Sequence, residues 1–90
     1  MREFRTIKRC KKPRKEQALI YYTCINYHKA DKRTRDKIDR LCAAAGGAYA
    51  DALRDLLIHA DAVTTEGIAI KHYCSPGTLW TARIRFFNMW

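Results

Sequence analysis

Three histidines and four cysteines carry the widest chemical repertoire in this 90-residue chain, and their spacing decides how much of it they can use. Cys24 and His28 stand four residues apart, and His72 lies two before Cys74, spacings at which a thiolate and an imidazole can reach one metal ion. No Cys-x-x-Cys pair accompanies them, so neither a zinc ribbon nor a thioredoxin-like site is expected. Cys10, Cys24, Cys42 and Cys74 read as reduced thiols of a cytoplasmic chain, with Cys42 and Cys74 as small core groups. Nucleophilic catalysis needs a base beside a nucleophile, and none of His28, His59 or His72 adjoins such a motif. The carboxylates fall at helix-surface spacings, and Gly46-Gly47 lacks the Lys and Ser or Thr that follow in a phosphate loop. The expectation is a protein that is not an enzyme and uses no metal and no cofactor, with His72 as a hydrogen-bonded core or boundary residue.

Charge points to a different chemistry. Lys and Arg number 18 against 9 Asp and Glu, a formal net charge of +9. Between Arg2 and Lys15 stand eight Lys or Arg and one Glu, so most of the excess sits in a short N-terminal arm that ends in Lys11, Lys12, Arg14 and Lys15. Such an arm is an electrostatic footprint for a polyanion, most often nucleic acid. Its plainer reading is a solvated tail. A membrane role is not expected: Phe4 and Ile7 are the arm's only apolar anchors, and no apolar run approaches the roughly 18 residues that cross a bilayer. Nor does an apolar stretch with a small-residue cleavage site follow the basic start, as it would in a secretory signal.

The elements that must position these groups read as helices. Residues 1–15 contain Pro13 and form a basic arm with little fixed structure, and residues 16–90 form a single helical domain. Residues 16–29 are ambiguous, because Leu19, Tyr22 and Asn26 suit a helix while the β-branched and aromatic content suits a strand. A strand there, followed by two helices, would give the element order of a ribbon-helix-helix repressor; the helix is preferred. Asp31 can cap the next helix, whose apolar stripe is Ile38, Leu41, Cys42 and Ala45, and Gly46-Gly47 ends it. Arg33, Lys37 and Arg40 lie away from that stripe on an ordinary solvated face. Residues 48–60 form a further amphipathic helix, with Tyr49, Ala52, Leu53, Leu56 and Leu57 inward and Asp51, Arg54 and Asp55 outward.

The clearest local signals lie in residues 64–90. Thr64 or Thr65 can cap a helix that has Glu66 near its start, with Ile68 and His72 toward the core. Ser75 can cap another helix whose first position is Pro76, where a missing N–H costs nothing. From there Leu79, Ala82, Phe86 and Met89 line a buried face, and Thr81, Arg85 and Asn88 lie opposite. Trp80, Phe87 and Trp90 cannot all be buried in so small a domain, so some are expected at a dimer contact.

Ile68-Ala69, five residues, Ser75 and then Thr78-Leu79-Trp80 resemble the helix-turn-helix of DNA-binding regulators. In that family the small Ala lets the helices approach, Ser caps the recognition helix, and the Leu packs into the core. Tyr73 and Cys74 stand where a Gly and a β-branched residue are more usual, and Gly77 sits in the first turn of the recognition helix. More loosely, residues 26–90 look like small regulators of bacterial phages, plasmids and transposons. The resemblance implies an all-α fold, a small bundle of about four to five helices with a C-terminal helix-turn-helix at 64–90 and a basic N-terminal arm. It implies a sequence-specific, double-stranded DNA-binding transcriptional regulator of a mobile element, cytoplasmic, bacterial and homodimeric. Contacts to DNA are expected from Lys71, Ser75, Gly77, Trp80, Thr81 and Arg85, with Lys11, Lys12, Arg14 and Lys15 adding phosphate or minor-groove contacts. The alternative from another class is a small protein-interaction module that inhibits a host nucleic-acid-handling enzyme; RNA is a third partner, weakened by the lack of stacking-sheet motifs.

Overall fold

Helix signals along the chain translate into five α-helices in a computed structural model that describes residues 6–90. They are α1 (Arg14–Ile25), α2 (Lys32–Gly46), α3 (Ala50–Ile58), α4 (Thr65–Lys71) and α5 (Pro76–Met89), with single 3₁₀ turns at Tyr27–Lys29 and Gly47–Tyr49. No strand occurs among the described residues, and none of their helices is long and apolar enough to cross a membrane.

Three of the starts are chemically capped. Asp31 Oδ1 accepts the Thr34 N–H at 2.9 Å, Thr64 Oγ1 accepts that of Gly67 at 3.1 Å, and Ser75 Oγ accepts that of Thr78 at 3.1 Å. Each such cap is worth about 1 kcal/mol. Gly47, at φ 54°, closes α2 in the left-handed region that glycine enters without strain.

Residues 16–29 resolve as helix over most of their length. Gln17, Ile20, Tyr21 and Cys24 recur at helical spacing and are buried, whereas Leu19 is 65% exposed and Tyr22 40%. Apolar groups on both sides of α1 explain why its sequence suits a strand as well.

Two buried clusters share α3 between them. Leu53, Leu57 and Ile58 join Ile20, Cys24, Ile38, Leu41, Cys42, Phe86 and Phe87 in the larger, and Ala52 and Leu56 join Ile68, Ala69 and Leu79 in the smaller. The smaller cluster holds α4 and the first turn of α5 against α3, and the rest of α5 packs into the larger cluster through Ala82, Ile84, Phe86 and Phe87.

Several sequence expectations need correction. The arm expected to lack fixed structure through residue 15 is ordered in its described part: Ile7 and Cys10 are buried, and α1 begins at Arg14, right after Pro13. Gln17 is the reason. Its Oε1 accepts the Ile7 N–H at 2.8 Å, and its Nε2 donates to the carbonyls of Lys12 (2.8 Å) and Ile7 (3.3 Å). Residues 1–5 of that arm lie outside the described residues. Tyr49, expected inside, is 41% exposed, because the 3₁₀ turn at Gly47–Tyr49 delays α3 to Ala50 and rotates Tyr49 off its apolar stripe. Asp55, expected outside, is half-buried. On α5, Met89 is 46% exposed while Phe87 is fully buried. That helix buries a second side, on which Ile84 and Phe87 join the same cluster as Ile7 and Cys10.

Candidate functional site

The turn between α4 and α5 is set by backbone hydrogen bonding. Cys74 N–H donates to the Ala69 carbonyl at 2.9 Å, and Tyr73 N–H to that of Ile70 at 3.3 Å, the paired bonds of a Schellman end. Such an end needs a left-handed residue at the position Tyr73 occupies, and Tyr73 takes φ 56° with its side chain 95% exposed. It is the only non-glycine residue with positive φ among those described. Ala69 and Cys74 then pack with Leu79 in the smaller cluster, and Ser75 opens α5.

Beyond that turn, the outward stripe of α5 runs through Gly77, Thr81, Arg85 and Asn88, all exposed. No Asp or Glu follows Glu66, so the stripe carries Arg85 and no carboxylate. Alongside it, Ser75, Gly77, Thr81 and Arg85 line an open groove of about 630 Å³ whose other wall comes from Gly46, Ala48 and Tyr49. Four of the residues expected to meet DNA are thereby brought together.

Trp80 stands on the flank of α5, 39% exposed, with the Arg83 guanidinium 5.5 Å from its ring centre and equally far from that of Phe87. Burial pulls the Arg83 guanidinium below its ordinary pKa. Trp90, half-buried, packs on Phe86 at 5.9 Å between ring centres and carries the Lys37 ammonium 4.1 Å above it.

Charge reaches the C-terminal end of α5 from the other terminus of the chain. Asn88 Oδ1 accepts the Lys11 backbone N–H at 2.9 Å and the Cys10 thiol at 3.3 Å. The exposed Lys11 is thus held at the end of the stripe, with Lys8 and Arg9 exposed in the same segment. Lys12 lies 3.9 Å from Glu16, which offsets it, and Arg14 and Lys15 are exposed on the first turn of α1.

Lys71 is engaged elsewhere. Its ammonium donates to Asp55 Oδ2 at 2.9 Å, His72 Nε2 lies 3.0 Å from the same oxygen, and His59 Nε2 is 3.7 Å from Oδ1. The hydrogen bond from His72, with the Lys71 pairing, holds the Asp55 carboxyl below its ordinary pKa. This cluster clamps the end of α4 to α3.

A second network ties the 3₁₀ turn at Tyr27–Lys29 to α2 and α3. Tyr27 Oη lies 2.8 Å and 3.0 Å from the two Asp39 oxygens, and Arg54 donates to Asp39 Oδ1 at 2.9 Å and to Tyr27 Oη at 3.0 Å. Burial pushes the Cys42 thiol up to about 12 and the Cys24 thiol up as well, so these two are protonated near neutral pH. Among the described residues, no three His, Cys, Asp or Glu side chains are placed to hold a metal ion.

The sequence showed neither the buried Gln17 anchor, nor the partner of Asn88 on the outward side of α5, nor the exposure of Tyr49. Gln17 had a signal, since it shares the spacing of Ile20, Tyr21 and Cys24 and so falls on a buried stripe; a polar residue there implies partners. The partner of Asn88 and the exposure of Tyr49 had none, because they depend on segments distant in the chain. Compared with protein-family models, curated proteins and solved structures, the chain shows no match.

Proposed function

We propose that this chain binds double-stranded DNA with sequence preference, as a transcriptional regulator of a mobile genetic element, with α4 and α5 acting as a helix-turn-helix and α5 entering the major groove. The observation that carries this reading is the anchoring of the basic segment at Lys11 to Asn88, at the end of an exposed, carboxylate-free α5 stripe. A helix about 10–12 Å across fits a major groove about 12 Å wide, and flanking cations take the phosphates. The left-handed turn at Tyr73 and the Ser75 cap supply the bend that the resemblance calls for. Thr81 and Arg85 reach base edges, Ser75 and Gly77 take backbone contacts, and Trp80 meets the flanking strand. Lys71 serves the clamp on Asp55 before it serves a phosphate. A homodimer supplies the affinity that one small module lacks.

Selection from random duplexes at moderate salt tests this directly. A consensus with two mirrored halves is expected, and Arg85→Ala should relax preference at one position by roughly 1–3 kcal/mol. Neutralising Lys11, Lys12, Arg14 and Lys15 together should weaken binding to every duplex and flatten its salt dependence. Absence of duplex binding at low salt would end the proposal.

A protein partner is the second reading, favoured by the exposure of Ile70 (77%) and Tyr73 (95%) on the last turns before α5. Tight binding to a protein, abolished by Trp80→Ala while DNA affinity stays weak and indifferent to sequence, would select it.

A further inference from the structure

We infer that the groove between the turn at residues 46–49 and the outer side of α5 seats the sugar-phosphate backbone of one strand of bound duplex, with Tyr49 as a phosphate contact and Arg85 lending the lining its positive charge while its head reads a base edge. The inference rests on the DNA-binding reading above and adds to it a second contacting element, one that lies outside the helix pair.

Two flanks border the outward stripe of α5. At 100° per residue, Thr81 lies near the centre of the outward stripe, Asn88 and Ile84 turn to one side of it, and Thr78, Arg85 and Ala82 to the other. The first side is occupied by the basic segment, through Lys11 and Asn88. On the second side, and reaching across the first turn of α5 at Gly77, lies the groove. A helix lying in the major groove has one strand of the duplex on each side, so two backbone seats are needed. One flank already carries cations; the groove is the place left for the other strand.

Its chemistry fits a phosphodiester. Arg85 is the only charged residue in the lining, and no carboxylate is present to repel an anion. Ala48 and Gly77 are exposed and add little side chain to the lining, a Cβ on Gly77 would approach only Ser75 Oγ at 4.0 Å, and one on neighbouring Gly47 would meet nothing within 4 Å. Tyr49 keeps its ring 41% exposed on the rim, where its phenol can donate to an oxyanion. A volume of about 630 Å³ also suits a small ligand, but the groove opens along the helix instead of enclosing its contents, as an extended strand requires.

The experiment compares equal charge changes inside and outside the groove, in the whole chain. Ala48→Glu puts a carboxylate in the lining; Ala43→Glu puts one on the exposed side of α2, away from it. Duplex affinity is measured by anisotropy over a salt series, with melting temperatures to verify folding. Ala48→Glu should weaken binding about tenfold beyond Ala43→Glu, and Ala48→Lys should strengthen it and steepen the salt slope by about one. Tyr49→Ala should weaken binding to unrelated duplexes equally, with Tyr49→Phe revealing the share owed to the hydroxyl. Equal affinities for Ala48→Glu and Ala43→Glu, with the wild type binding duplex normally, would overturn this inference alone. Saturable uptake of a mononucleotide that Ala48→Glu abolishes, without any effect on duplex affinity, would overturn it in favour of a small-ligand site. A wild type that binds no duplex would overturn the DNA-binding reading and this inference together.

Discussion

Asn88, near the end of the chain, accepts the backbone N–H of Lys11 through its side-chain oxygen at 2.9 Å, so two segments 77 residues apart meet at the tip of α5. The bond fixes backbone, and the lysine side chain remains free to find a phosphate. Asn88→Ala should lower stability by about 1 kcal/mol and weaken binding to two unrelated duplexes by similar factors, because only the position of non-specific cations changes. Loss confined to one duplex sequence would instead make Asn88 a base-reading residue.

Gln17 holds the other end of the same segment. Gln17→Leu would leave the Ile7 N–H and the Ile7 and Lys12 carbonyls without their side-chain partner. A destabilisation of roughly 1–3 kcal/mol is expected, with faster amide exchange at Ile7 while α3 keeps its protection. Unchanged exchange at Ile7 would show that burial of Ile7 alone secures the segment.

Tyr73 occupies a left-handed position that costs a non-glycine residue about 1–2 kcal/mol. Its side chain is 95% exposed, so little packing is lost on truncation. Tyr73→Gly should raise the melting temperature, by an amount reduced by the extra freedom of glycine in the unfolded chain. A lower melting temperature would mean that the tyrosine ring stabilises the turn through contacts in the folded state.

Asp55 gives the domain an acid-sensitive clamp. Its folded pKa is depressed, so the stability it contributes is fully present above the unfolded value of about 3.9 and is lost as pH falls through the folded one. Asp55→Asn should lower the melting temperature at pH 6 by a few degrees, corresponding to about 1 kcal/mol, and the gap from wild type should narrow below about pH 4. The same substitution frees Lys71, so low-salt duplex affinity should rise. A gap constant down to pH 2 would remove Asp55 from the clamp.

Gly77 has room for a methyl group: a Cβ there would approach only Ser75 Oγ, at 4.0 Å. Gly77→Ala should add up to about 1 kcal/mol of stability, since alanine is the better helix former. If the Gly77 backbone approaches a phosphate, duplex affinity should fall in the same variant. Melting and binding shifting together upward would separate this glycine from the interface.

Helix starts at Asp31, Thr64 and Ser75, the stop at Gly46-Gly47 and the stripes of α2 and α4 were all legible along the chain, because caps, turn chemistry and amphipathic spacing act within a few residues. The exposed side of α5 at Thr81, Arg85 and Asn88 followed from the same local periodicity. What contacts that side did not.

The amino-acid sequence by itself determined α2, α4 and α5 with their starts and the excess of positive charge, all properties of neighbours on one strand of chain, and left residues 16–29 open between helix and strand. Tertiary structure alone decided that the basic segment is pinned beside α5, that Tyr49 faces a groove instead of the core, and that Lys71 is drawn to Asp55. Each of those outcomes depends on which distant group arrives within about 3 Å of a hydrogen-bonding atom. That proximity is set by how the five helices stack on their two apolar clusters.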